Sequence, residues 1–324
     1  MHVQRLLFPL MLLVAPLVQA DTNQAQALLR AMAEAYHGLE YQGRFIYAHG
    51  GDISTMEVSH AVIDGREYER LTHLDGQLTE LIRNDDEVIC IHPDQTMTRL
   101  PAGSSLGPLG VRERLSRVPE QYNVLLDGEG RVAGRQALRL RLAPLDNHRH
   151  GYRLWIDRES SLLLKSEMVD DDGRALERIE FVALNLNPQL VVDDFAAPRV
   201  VSERILANVE QAPGPQADLD LKAGWLPNGF AAAGRDLRQP NGESAPVVAK
   251  TYSDGLAAFS IFIENLAAGG DREAGVSRLG PTVAVTRYLE HAGSEYRLTL
   301  IGEVPLDTAE RVASAVVLEG VTDD

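Results

Sequence analysis

Gly103-Ser104-Ser105-Leu106-Gly107 has the G-x-S-x-G spacing that presents a nucleophilic serine on a sharp strand-to-helix elbow. Asp146 and His291 follow in the chain order that a Ser-Asp-His triad would need. The elbow requires a buried parallel strand before the serine and a tightly packed helix after it. Here residues 96–100 alternate polar and apolar side chains, and residues 101–110 are rich in Gly and Pro, the composition of a mobile loop. The loop reading outweighs a hydrolase built on Ser105. Asp146-Asn147-His148-Arg149-His150 places two imidazoles at i, i+2, which can chelate. A metal site needs three or four ligands in fixed geometry, and an arginine between the two histidines opposes a cation. A solvated loop between strands is expected there. The chain has no Gly-rich phosphate loop between a strand and a helix, and no carboxylate pair of recognisable spacing. The expectation is a protein without catalysis, metal or cofactor.

Two arginine clusters interrupt an acidic background of 31 Lys+Arg against 47 Asp+Glu, a net charge of −16. Such a balance repels nucleic acid and anionic membranes, so any anion must be captured locally. Arg112, Arg114 and Arg117 lie beside the 101–110 loop, and Arg135, Arg139 and Arg141 lie along one strand. The guanidinium fork suits phosphate or carboxylate. A solvated outer face is the competing reading. The single Cys90, in the apolar run Val88-Ile89-Cys90-Ile91, excludes an intramolecular disulfide and reads as an inert strand thiol.

The elements around these residues follow from periodicity. Residues 1–20 read as a secretory signal peptide: Arg5, an apolar stretch from Leu6 to Val18, and Val18-Gln19-Ala20 before Asp21. Export to the periplasm follows. Ala25, Leu28, Leu29, Met32, Tyr36 and Leu39 then give one stripe of a helix over 22–39. From Tyr41 the period becomes two. About ten short strands follow to Leu184, bounded by Gly50-Gly51-Asp52, Asp64-Gly65, Asp75-Gly76, Asn84-Asp85, Pro93-Asp94 and Asp171-Asp172-Gly173. Short connections demand antiparallel pairing, which predicts a strongly curved sheet or part-open barrel. After the Gly50-Gly51-Asp52 turn, Met56, Val58 and Val62 resume the period-two pattern. If the sheet curls, its inner face carries Phe45, Tyr47, Met56, Val58, Leu138, Leu140, Leu154 and Met168. A helix, a loop or a lipid must cover that face, and plain core packing is the alternative to a lipid groove. Residues 210–217 have linker composition. A smaller α+β unit over 218–324 follows, with strands at 247–252, 258–264, 282–289 and 296–302. A last helix is expected in which Asp307 and Glu310 have capping-box spacing and Val312, Ala313, Val316 and Val317 form the apolar side.

Gly130-Arg131-Val132-Ala133-Gly134-Arg135, Tyr152-Arg153-Leu154-Trp155-Ile156-Asp157 and Leu163-Leu164-Lys165-Ser166 also carry a likeness. So do Tyr41-Gln42-Gly43, Glu69-Arg70-Leu71, Trp225-Leu226-Pro227-Asn228-Gly229-Phe230, Tyr252-Ser253-Asp254-Gly255 and Gly302-Glu303-Val304-Pro305. In this order they make the chain resemble the RseB/MucB family. The one noted departure is His150, where the family more often has Tyr. The resemblance implies a LolA-like curved antiparallel half-barrel over 21–209 and a small α+β domain over 218–324. It implies a non-enzymatic regulator that binds the periplasmic part of a transmembrane anti-sigma factor of the RseA/MucA type. Such a regulator shields its partner from the first cutting protease and is released by lipid or lipopolysaccharide; MucB relatives are tied to alginate production. Tyr252, Phe259 and Phe262 are the candidate partner anchors. A lipid or lipoprotein carrier is the alternative, and it would need the first domain only.

Overall fold

The computed structural model describes residues 15–77, 79–85, 87–100, 110–115, 118–197, 202–205, 219–238, 247–266 and 273–320. Helix α1 (Ala15–Gly38) runs through the expected processing position. Strands β1 (Tyr41–His49), β2 (Asp52–Ile63), β3 (Arg66–His73), β4 (Glu80–Asn84), β5 (Glu87–Ile91) and β6 (Thr96–Leu100) form one meander. After α2 (Gly110–Leu115), a second meander contains β7 (Tyr122–Val132), β8 (Arg135–Pro144), β9 (Gly151–Asp157), β10 (Leu163–Val169) and β11 (Ala175–Asn185). Strand β11 returns to pair with β1, and β12 (Ser202–Ile205) adds in parallel to β6. Twelve strands thus share one open sheet, ordered β12-β6-β5-β4-β3-β2-β1-β11-β10-β9-β8-β7. Helix α1 touches both β2 and β7, with five strands between them. One helix reaches both only if the sheet curls around it.

The stripe read from the sequence is what α1 buries: Ala25, Leu29, Met32 and Tyr36 enter the core, with Leu28 and Leu39 packed at its margin. Leu115 of α2 joins them, fully buried. Val62 departs from expectation and is exposed at the outer end of β2. The inward position before it is taken by His60, stacked on Tyr41 at 4.9 Å. Cys90 is half-buried, on the face of β5 opposite the buried Ile89 and Ile91, and burial raises its thiol pKa.

The smaller unit has β13 (Leu219–Ala223), β14 (Ala231–Arg238), β15 (Val247–Ser253), β16 (Ala258–Asn265), β17 (Gly275–Leu279), β18 (Thr282–His291), β19 (Ser294–Gly302), α3 (Leu306–Ser314) and β20 (Val316–Gly320). Six of these strands form a sheet in the order β14-β15-β16-β19-β18-β17, and β13 pairs with β20. Ala309, Val312 and Ala313 of α3 close the core over Ile261, Val283, Leu298 and Leu300. The chain is therefore mainly β, a large curved sheet plus a smaller α+β unit, as expected. Two details differ at the C-terminal end. Pro305, not Asp307, is the N-cap of α3, because proline presets the entry dihedral and starts the helix earlier. Val316 and Val317 leave the helix for β20, where β-branched residues pair with β13. No helix among the described residues is long and apolar enough to cross a membrane.

Candidate functional site

Inward-pointing residues of a curled sheet converge, and here they meet under α1. Phe45, Met56, Val58, Leu140, Leu154 and Met168 are all buried in one cluster with Leu29, Met32 and Tyr36 of the helix. Phe45 and Phe181 make an edge contact at 5.7 Å across β1 and β11. Gly43 is required there, since a Cβ would stand 2.6 Å from the Phe181 ring. Leu138 is half-buried. Arg139, its neighbour, turns outward to the Asp127 carboxylate at 2.9 Å, so the two faces of β8 are distinct. Arg135 is held by Asp157 through two hydrogen bonds of 2.8 and 2.9 Å, while Arg141 is exposed.

Tyr47 sits at the rim. It lines a cavity of about 380 Å³ with Ser54, Met56, His73, Arg114, Glu177 and Glu303. The Tyr47 hydroxyl donates to Glu177 Oε2 at 3.0 Å, and His49 Nδ1 lies 3.3 Å from the same oxygen. Burial, then the nearby charge of Glu303, raises the pKa of the Glu177 carboxyl. Arg114 reaches Glu303 of the smaller unit at 3.4 Å, so this expected anion contact is already engaged by a carboxylate. Arg112 lies in α2. Arg117, the 101–109 part of the loop with Ser105, and the 210–217 linker lie outside the described residues. A second cavity, about 270 Å³, opens between α1 and β7 over Leu29, Val118, Tyr122 and Val124, with Arg30 on its margin.

Within the segment expected to be a solvated loop, Asn147 is exposed but Arg149 and His150 are buried. Arg149 is 0% exposed. Its Nε donates to Asp254 Oδ2 at 2.6 Å, and its other nitrogens donate to Asp146 and to the Asn228 carbonyl. The guanidinium lies 5.1 Å from the Phe230 ring centre. Asp254 and Asn228 belong to the smaller unit, so this arginine joins the two units, and nothing local in the sequence reveals its partners. Burial pushes the Asp146 carboxyl up, but the Arg149 hydrogen bond, the His148 amide and the neighbouring charges outweigh it and hold it below the ordinary value. His148 Nδ1 lies 2.9 Å from Thr308 Oγ1, with its ring edge-on to Trp225.

His150 is 4% exposed, and its ring faces the backbone carbonyls of Val304 and Pro281. Burial, then the charge of Arg278, lowers it from 6.5 to about 4. It lines a cavity of about 420 Å³ with Asp170, Asp171, Asp172, Arg174, Arg278 and the start of α3. Nearby the units touch through backbone: a Cβ at Gly280 would stand 2.8 Å from Gly50 N and 2.9 Å from the Leu176 carbonyl. Among the described residues no group of three or more His, Cys, Asp or Glu could hold a metal.

Of the expected partner anchors, Tyr252 and Phe259 stack at 5.5 Å in the core of the smaller unit. Phe262 is half-buried on the opposite face of β16, as alternation requires. Neither the Arg149 hub nor the His150 cavity was legible as a site. The available signal was the pairing of a lone arginine between two histidines with a distant Asp-Gly turn.

Both units of the chain are similar to known proteins. The MucB/RseB N-terminal domain profile matches residues 24–201, and the MucB/RseB C-terminal domain profile matches 215–317. The sigma factor AlgU regulatory protein MucB of Pseudomonas aeruginosa is 38% identical over 322 residues, covering 95% of this chain and 96% of that protein. The sigma-E factor regulatory protein RseB of Haemophilus influenzae is 29% identical, covering 95% of each. Among solved structures, the Pseudomonas aeruginosa MucA/MucB complex aligns with a TM-score of 0.72 at 34% identity, covering 92% of this chain and 99% of that one. The structure of MucB alone aligns at 0.59 and 32%, covering 91% and 98%.

Proposed function

This chain belongs to the MucB/RseB family, and from that premise we propose that it binds the periplasmic part of a transmembrane anti-sigma factor. It shields that partner from regulated proteolysis and releases it in response to lipid or lipopolysaccharide. It acts in the periplasm after loss of residues 1–20, without catalysis. The observation that carries the reading is the likeness, over nearly the whole chain, to MucB as crystallised with MucA. The two domains, 21–209 and 218–324, hold the partner together, with 210–217 between them.

The lipid half of the reading rests on the apolar inner face. Burying an acyl chain contributes about 0.8 kcal/mol per CH₂. That gain must exceed the cost of displacing α1, whose stripe fills the space over Phe45, Met56 and Leu154. The opening beside Leu29, Val118 and Val124 offers a route in. Titration calorimetry of the processed chain against the periplasmic segment of its anti-sigma factor, with and without lipopolysaccharide, tests both halves. Saturable binding that weakens in lipid is expected. No binding would refute the regulator, and binding indifferent to lipid would refute the release.

A further inference from the structure

Four edges bound the two large sheets, and three of them are guarded. Strand β12 is only four residues long. Strand β7 is bulged between Leu126 and Glu129 and touches α1. Strand β14 is bulged between Ala232 and Gly234. Short strands, bulges and covering elements are the usual defences of an edge against stray pairing. Strand β17 is unbulged, and among the described residues no element covers its outer side. Its register with β18 is unbroken, every residue from Gly275 to Leu279 is exposed, and Val276 and Leu279 present apolar side chains at 47% and 51% exposure. Among the described residues no strand pairs with its outer side.

The turn fixes which backbone groups face outward. Leu279 pairs with Thr282 across the two-residue turn Gly280-Pro281, and Gly280 has φ +57. The pair closing a two-residue turn exchanges hydrogen bonds, and the pattern then alternates along the hairpin. Val276 and Arg278, opposite Val285 and Val283, therefore turn their N–H and C=O groups away from β18. Only an extended polypeptide offers donors and acceptors at that repeat.

Charge narrows the occupant further. Arg278 lines the cavity shared with His150, Asp170, Asp171, Asp172 and Asp307. Four carboxylates there face two guanidinium groups, those of Arg174 and Arg278, and Arg174 is already committed to Asp170 and Asp172. A strand added beside β17 would point alternate side chains toward this cavity, where a lysine or arginine finds carboxylates. We infer that β17 is a docking strand: an extended, basic stretch of the anti-sigma partner adds to it as a seventh strand and sends a cationic side chain into the aspartate-lined cavity between the two units.

This rests on the regulator reading, and the experiment separates the two. Val276→Pro deletes one outward N–H and leaves the bonds to β18 intact, a position where an edge strand tolerates proline. With the periplasmic anti-sigma segment as probe, Val276→Pro is expected to weaken binding about ten-fold or more. In the unsubstituted protein, the Val276 and Arg278 amides are expected to exchange more slowly once the segment is bound. If the unsubstituted protein does not bind the segment, the regulator reading itself fails. Equal binding by Val276→Pro, with unchanged exchange at both amides, overturns the docking strand alone. Should the variant melt early, the exchange measurement on the unsubstituted protein decides. Self-association that Val276→Pro abolishes, with no effect on the segment, would assign the edge to a second copy and also overturn the proposal.

Discussion

Arg149 holds its charge where no water reaches, and its worth lies in what would be left without it. Arg149→Ala strands Asp254, which is itself 0% exposed, and should cost about 3–5 kcal/mol. Calorimetry is expected to show the smaller unit melting earlier and apart from the larger one; an unchanged thermogram would contradict the role. Arg149→Lys should not restore it, because a single ammonium cannot reach Asp254, Asp146 and the Asn228 carbonyl in their fixed directions. His150 gives the junction a pH dependence of known sign. Its folded pKa is depressed, from 6.5 to about 4, so the unfolded state binds the proton more tightly. Its contribution is complete above about pH 6.5 and is lost as pH falls toward 4, up to about 3 kcal/mol. The groups facing it are Arg278 and Asp170, with the Val304 and Pro281 carbonyls nearby. Thermal unfolding at pH 7 and pH 4.5 checks this: the difference should shrink in His150→Phe. Asp146, held low by Arg149, adds a loss at still lower pH that this variant retains. Histidines and arginine in an Asp-Asn-His-Arg-His segment read as solvated because the residues that bury them lie about a hundred positions away; Asp254 is 105 residues from Arg149.

Elements were far more legible than contacts. The 3.6 period of α1 and the alternation of β1, β8 and β9 are local, and both survive into the fold because each face meets one environment. Strands β12, β13, β14, β17 and β20 are not expected from the sequence. Strand β17 is exposed at every position, and β20 follows a helix whose apolar spacing runs into it. Turn chemistry explains one further expectation. Asp64-Gly65, Ala133-Gly134 and Ala292-Gly293 each place two residues at positive φ, the two-residue turn that matches strand twist. Alanine tolerates this poorly, so Ala292→Asn, on an exposed turn, should stabilise the smaller unit by about 1 kcal/mol, measured by urea unfolding. The cover is tested at α1. Met32→Ala, 2% exposed in the native fold, should cost about 2–4 kcal/mol and raise uptake of a fluorescent fatty acid. Lower stability without added uptake would mean the helix is not what keeps lipid out.

Across the whole molecule, the proposed lipid and partner sites must be coupled by one free energy in both directions. If lipopolysaccharide weakens the anti-sigma segment ten-fold, the segment must weaken lipopolysaccharide ten-fold, which paired titrations can check. The Arg149 hub and the Gly50–Gly280 contact make the two units candidates for carrying that coupling as one body. A different consequence follows from how the large sheet is closed. Among the described residues its two meanders are paired strand to strand only through β1 and β11, where Tyr47 finds Glu177 across 130 residues of chain. A chain emerging N-terminus first therefore exposes the open side of β1 until most of the sheet has been delivered. Closure of so long a loop precedes its reward, so folding should be slow and vulnerable to aggregation during that wait. Weakening the Phe45–Phe181 contact should lower the yield of refolding more than the stability of protein already folded.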